Sequence, residues 1–191
     1  MSAAAPALSI SSTPSLRRIA WVRAAAALAW AIALVAALGG DPGAGETVPA
    51  AAAALLVAYP LIDVFSSAVE ARESPASARV LPIVNALIGL AASVGLAVAA
   101  ATADAGATLA VFGVWAIVSG AVQLGTAAMR RRAGSRQLPM IVSGAISAVA
   151  GVSFVAGSSQ DVAHLSSLAG YAAFGAVLYL CLLYTSDAAD E

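Results

Sequence analysis

The chain has no lysine, and in 191 residues it has one cysteine and one histidine. One thiol cannot close a disulfide within the chain, and one histidine beside one thiol falls short of a four-ligand zinc site. No Gly-rich phosphate loop, nucleophile elbow or zinc-protease signature occurs. No acid/base or nucleophile cluster is therefore available to an enzyme, and no metal or other cofactor is expected. Charge is scarce, with nine basic and ten acidic side chains, all nine basic residues being arginine. The lack of lysine fits a GC-rich coding bias as well as any physical cause.

What is abundant is apolar surface. The composition is 61% hydrophobic and only 10% charged, with a mean hydropathy of +0.93, more apolar area than one soluble core can hide. Runs of roughly twenty apolar residues have the length that crosses a hydrocarbon core of about 30 Å as a helix. Six are expected, at about Ile19–Leu38, Pro49–Val69, Val80–Ala101, Ala105–Met129, Leu138–Ala156 and Val162–Leu180. The expected fold is an all-α integral membrane protein with both termini cytoplasmic. Its hairpins cover residues 19–69, 80–129 and 138–180, within a membrane domain of 19–180 behind a disordered tail of 1–18. Residues 17–38 could instead form a signal peptide, but the apolar run exceeds the usual h-region and its removal would leave an odd number of spans.

The final eleven residues, CLLYTSDAADE, resemble a translated transposon-end adapter from sequencing libraries, so 181–191 are expected to be non-native. Cys181 is then lost with them. The remainder carries nine basic against seven acidic residues, a formal charge of +2.

Arginine placement sets the expected orientation. Arg17, Arg18 and Arg23 open the first span, Arg72 and Arg79 lie between the second and third, and Arg130, Arg131, Arg132 and Arg136 between the fourth and fifth. The other connections, around Asp41, Glu46, Asp104, Asp161 and His164, carry no arginine. Basic loops stay on the cytoplasmic side, where the Arg130–Arg132 triplet stops the fourth helix among anionic headgroups. The lipid bilayer is the expected partner and the bacterial plasma membrane the expected location. Nucleic acid is not expected, and self-association into a homo-oligomer is left open.

The even spans align on an aromatic residue every 56 positions, at Tyr59, Trp115 and Tyr171, and the odd spans share Arg-x-Leu-Pro from Arg79 and Arg136. Three hairpins of like orientation follow, which argues against inverted-repeat transporters. Pro82 and Pro139 suit a first helical turn. Close helix packing in lipid favours small residues four apart. Ala116 with Gly120, and the stripe Ser143, Ser147 and Gly151, are the expected contacts.

Asp63 is the one acidic residue well inside an expected span, with Asn85 and Gln123 at a similar depth. They form a candidate polar layer in which Asp63 bonds to Asn85 or Gln123. An ionisable group inside the membrane is a functional candidate by default, although interhelical glue explains it equally simply. His164, near Asp161 and Asp104, is a candidate acidity sensor, its plainer reading being a solvated side chain. Trp21, Trp30, Trp115, Tyr59 and Tyr171 fit packing anchors better than a binding cage.

The segment VFGVWAIVSGAVQLGTAAMRRR, with its weaker relative LLVAYPLIDVFSSAVEARES, resembles the HdeD family of small bacterial inner-membrane proteins. The matching residues are Gly113, Trp115, Ser119, Gly120 and Arg130–Arg132, whereas Val64 stands after Asp63 where the pattern has glycine. The resemblance covers about Ile19 to Leu180. It implies a multi-pass membrane protein with a role in acid resistance or envelope stress, and it supplies no catalytic or transport residue to carry over. A small channel or transporter using a protonatable Asp63 is the competing expectation.

Overall fold

The computed structural model describes residues 14–76, 79–132 and 138–187. Six helices follow in order: α1 (Pro14–Leu38), α2 (Ala50–Glu73), α3 (Val80–Thr102), α4 (Ala105–Arg132), α5 (Leu138–Gly157) and α6 (Ser166–Asp187). Among the described residues there is no strand, only an isolated antiparallel bridge between Gly43 and Val162. Segments Ala50–Val69, Val80–Thr102 and Ala105–Met129 are long and apolar enough to cross a membrane. Shorter apolar stretches, Ala24–Leu38, Ile141–Gly157 and Ser166–Leu178, occupy the remaining helices. Outward faces carry Ile32, Phe65, Leu87, Val149 and Phe174, all exposed, a pattern that water disfavours and lipid accepts.

Two boundaries depart from the sequence reading. Helix α1 starts at Pro14, so 14–18 are helical and not tail. Proline is suited to that place because its missing N–H needs no partner in the first turn. Helix α6 starts at Ser166 and runs to Asp187, so Val162–Leu165 are not helical and helix continues past Leu180. Val162 is held extended by its bridge to Gly43, in which the Ala163 N–H donates to the Pro42 carbonyl at 3.0 Å.

The helices form a ring in chain order that α1 closes against α6. Packing is most extensive between α4 and α5, α2 and α3, and α1 and α6, while α5 barely touches α6. The connections 39–49, 103–104 and 158–165 join α1–α2, α3–α4 and α5–α6 at one end, but the most extensive contacts fall across the other pairs. Glycine explains the tightest. A Cβ added at Gly151 would stand 2.5 Å from the Gly113 carbonyl oxygen, and one at Gly120 would stand 2.6 Å from that of Gly144. Seven residues separate the glycines on each helix, so two antiparallel pairs meet in register two turns apart.

This geometry corrects part of the expected stripe. Ser147 and Gly151 are buried, as is Ala116, but Ser143 is exposed and Gly144 takes its place. At about 100° per residue, each four-residue step overshoots by about 40°, so Ser143 has rotated off the face that Gly144 and Gly151 share.

At the end where α1 passes into α2, residues 39–49 stitch the molecule together. Gly39 leaves α1 with φ +65°, a left-handed conformation natural to glycine. The Glu46 and Ala44 carbonyls accept from Ala105 N (2.8 Å) and Gly106 N (2.9 Å), and Asp104 Oδ1 accepts from Ala107 N at 2.7 Å. The N–H groups that α4 cannot satisfy internally are thereby capped.

Replacing Gly151 with alanine should destabilise the bundle by about 1–3 kcal/mol, because the new methyl meets backbone that cannot yield. Gly175→Ala, where an added Cβ meets nothing within 4 Å, should be close to neutral. Thermal unfolding of the two variants in detergent checks the difference.

Candidate functional site

Helices α2, α4 and α6 make no comparable contact with one another, so side chains must fill the middle of the ring. They do so with aromatic rings. Phe112 lies 5.9 Å from Tyr59, 5.2 Å from Trp115, 6.1 Å from Phe154 and 6.4 Å from Tyr171, centroid to centroid. Tyr59 also meets Trp115 edge-on at 5.8 Å and Trp30 at 4.4 Å. The three repeat-related aromatics therefore converge on one cluster, with Trp30 tied to the Leu55 carbonyl at 2.8 Å. Trp21 stands outside it, exposed.

The faces of the even helices follow one rule. Leu56, Pro60, Asp63 and Ser67 on α2 correspond, 56 residues on, to Phe112, Ala116, Ser119 and Gln123 on α4. Each set recurs at i, i+4, i+7 and i+11, one face of a helix. Leu168, Ala172 and Gly175 continue it on α6. Leu56, Phe112 and Leu168 are fully buried, and Pro60, Ala116 and Ala172 are buried below them. One turn further on, the positions become polar or bare: Asp63, Ser119 and Gly175.

Two of the three expected polar residues meet. Asn85 Nδ2 on α3 donates to Asp63 Oδ2 at 3.1 Å and to Ser67 Oγ at 2.7 Å. The Asp63–Asn85 approach is allowed by Gly89, one turn along α3, whose place is crowded by Val64 and the Pro60 carbonyl. Across the ring, Ser147 Oγ and the Tyr171 hydroxyl are 2.7 Å apart, and Tyr171 lies within electrostatic reach of Asp63. Gln123 stands elsewhere, its Cβ against Gly144 of α5. Its Oε1 and the Trp115 Nε1 are buried without a hydrogen-bond partner among the described residues.

Arg72 and Arg79 are exposed at the end opposite residues 39–49, Arg79 Nε donating to the Ser74 carbonyl at 2.9 Å. The side chains of Arg130, Arg131 and Arg132 and the whole of Arg136 lie outside the described residues. Among those residues no group of three His, Cys, Asp or Glu side chains is placed to hold a metal.

His164 corrects another expectation. It pairs with Asp41, 3.2 Å from Nδ1 to Oδ2, and not with Asp161 or Asp104. Asp41 also accepts from the Ser166 N–H and hydroxyl, both at 2.7 Å. A carboxylate from the first connection thus sits on the N-terminus of α6, where the helix dipole favours negative charge. Partial burial pushes the Asp41 carboxyl up, but the Ser166 and His164 contacts together outweigh it and hold the group below its ordinary 3.8. Beside it, between α5 and α6, opens a cleft of about 220 Å³ lined by Phe154, Gln160, His164 and Ser167 among others.

Sequence spacing alone passed over Phe112, Ser67, Gly113 and Gly144 as contacts. The readable signal for Phe112 and Ser67 is the 56-residue offset applied to whole helix faces instead of to one aromatic.

The described residues fold as helices, and three that are long and apolar enough to cross a bilayer suggest a membrane protein. Residues 90–156 match the profile of a family described as a short repeat of unknown function, DUF308, a repeat found in HdeD-like proteins. No curated protein and no solved structure matches the chain.

Because the Asp41 carboxyl titrates below its unfolded value, its stabilising contribution is complete above about pH 3.8 and is lost as pH falls through the folded value. Asp41→Asn should therefore lower the unfolding temperature at pH 6, and its difference from the natural chain should shrink towards pH 2.5. Thermal melts across that range give the comparison.

Proposed function

We propose that this chain is a non-enzymatic inner-membrane protein of six spans that contributes to acid or envelope-stress tolerance, in the manner its HdeD resemblance implies. Three helix hairpins with cytoplasmic termini would place Arg72 and Arg79 inside and the stitched connections outside. The bilayer is its partner in this reading, with self-association compatible. The observation that carries the reading is the seam at the end bearing residues 39–49. Asp41 joins the first connection to α6 through Ser166 and His164, and in this orientation that carboxylate-held face would be turned to the outer medium.

A second reading, a small channel or transporter, is favoured by the Asp63–Asn85–Ser67 cluster. A carboxylate held between α2 and α3 at membrane depth costs stability unless it is paired or used.

A cysteine placed at Asp104, with Cys181 replaced by serine, should react with an impermeant reagent in intact cells. Labelling only after permeabilisation would overturn the orientation. Cells lacking the chain should survive an acid challenge less well than cells carrying it, and equal survival would remove the tolerance reading. In proteoliposomes, proton or solute flux that disappears in Asp63→Asn supports transport, whereas no flux in either protein leaves the tolerance reading alone.

A further inference from the structure

The ring is closed unevenly. Helices α5 and α6 follow one another in the chain yet barely touch, and the cleft of about 220 Å³ opens in the gap they leave. Its inner wall is apolar. Leu109 and Phe154 are buried there, Phe154 edge-on to Tyr171 at 5.9 Å, and Gly157 contributes no side chain. At the rim stand Gln160, His164 and Ser167, where α5 passes into α6. Ser153, which also lines the cleft, is exposed beside Val152, and Phe174 and Val177 are exposed on α6. The cleft therefore opens sideways between two apolar flanks, with its polar rim at the end bearing residues 39–49.

A polar rim beside an apolar wall is the pattern of an amphiphile. Soluble ligands usually occupy pockets of about 300–1,000 Å³, more than this cleft offers. The head and first carbons of a lipid suit it better, because the rest of the chain can lie along the exposed flanks.

Hydrogen-bonding capacity narrows the head. The ionised Asp41 carboxyl only accepts, so the His164 Nδ1 facing it at 3.2 Å carries the hydrogen, and Nε2 of the neutral ring is left as an acceptor. The Ser167 hydroxyl donates to the His164 carbonyl at 2.5 Å, which leaves its oxygen to accept. Exposed Gln160 offers both a donor and an acceptor. The rim thus calls chiefly for O–H donors. Charge points the same way. The connections at this end carry Asp41, Glu46, Asp104 and Asp161 and no arginine, so a phosphate or carboxylate head would meet like charge without a guanidinium to offset it. No lining residue is itself a carboxylate, and Asp41 is already engaged by Ser166 and His164, so an ammonium head gains no counter-ion inside the cleft.

We infer that the α5–α6 cleft holds a lipid with an uncharged, hydroxyl-bearing head, of the acylglycerol class, its hydroxyls on Gln160, His164 and Ser167 and its first carbons against Phe154 and Leu109. The site is independent of both the tolerance and the transport readings.

The test is photolabelling of the purified full chain in phosphatidylcholine vesicles with a monoacylglycerol carrying a diazirine near its ester, mapped by mass spectrometry. Purification uses an amine-oxide detergent, since sugar-headed detergents bring hydroxyls of their own to the rim. Labelling should concentrate on residues 150–170. Unlabelled monooleoylglycerol should displace it at concentrations at least tenfold lower than oleate, which is anionic, or methyl oleate, which has no O–H. An added Cβ at Gly157 meets only Leu109 Cδ2, at 4.0 Å, so Gly157→Leu should fill the cleft, leave the melting temperature unchanged and cut the labelling at least fivefold. Gln160→Ala, which leaves the apolar wall intact, should shrink the advantage of monooleoylglycerol over methyl oleate at least threefold. Labelling spread evenly over the exposed faces of all six helices, equal displacement by oleate, or unchanged labelling and displacement in both variants overturns the site.

Discussion

Six helices arranged in a ring enclose more space than their backbones can close, and the structure depends on how that space is filled. Where α2, α4 and α6 face one another, only large side chains reach across. The rings of Tyr59, Phe112, Trp115 and Tyr171 do this at one level, with edge-on and tilted contacts suited to the charge distribution of aromatic faces. Elsewhere the ring is held at its circumference. The Gly113–Gly151 and Gly120–Gly144 pairs bring α4 and α5 to near-backbone contact, where dispersion over many atoms replaces the hydrophobic driving force that lipid does not supply. Circumferential closeness and a plugged centre are complementary: tight pairs leave the middle to side chains.

The connections obey a different constraint. A helix start leaves N–H groups without partners, and here the segment 39–49 supplies several of them from outside. Its carbonyls cap α4 and its Asp41 caps α6. One short stretch of chain therefore fixes the starting points of two distant helices, which makes their relative register a property of that stretch and not of helix packing alone.

The helical class and most boundaries were legible from apolar run length, since hydropathy reports the medium directly. The 56-residue spacing of Tyr59, Trp115 and Tyr171 carried more than an alignment, because it foretold which side chains share the centre. Ser143 failed because a four-residue stripe drifts around a helix of 3.6 residues per turn. The partner of His164 was not legible either. Asp41 lies 123 positions away, and nothing local distinguishes it from Asp161 or Asp104, which are nearer in sequence. Asp63 and Asn85 were legible as a pair because both lie at one depth on consecutive helices. Gln123 shared the depth but stands on a helix whose side chain packs toward α5.

The seam between Asp41 and Ser166 has a bearing on how the molecule is made. These residues are 125 positions apart, and α1 reaches its main packing partner only when α6 exists. During synthesis the first five helices would thus wait side by side, with the aromatic cluster missing Tyr171 and one flank of α1 facing lipid. Closure must await the synthesis of α6, and a nascent chain halted before α6 would remain an open crescent.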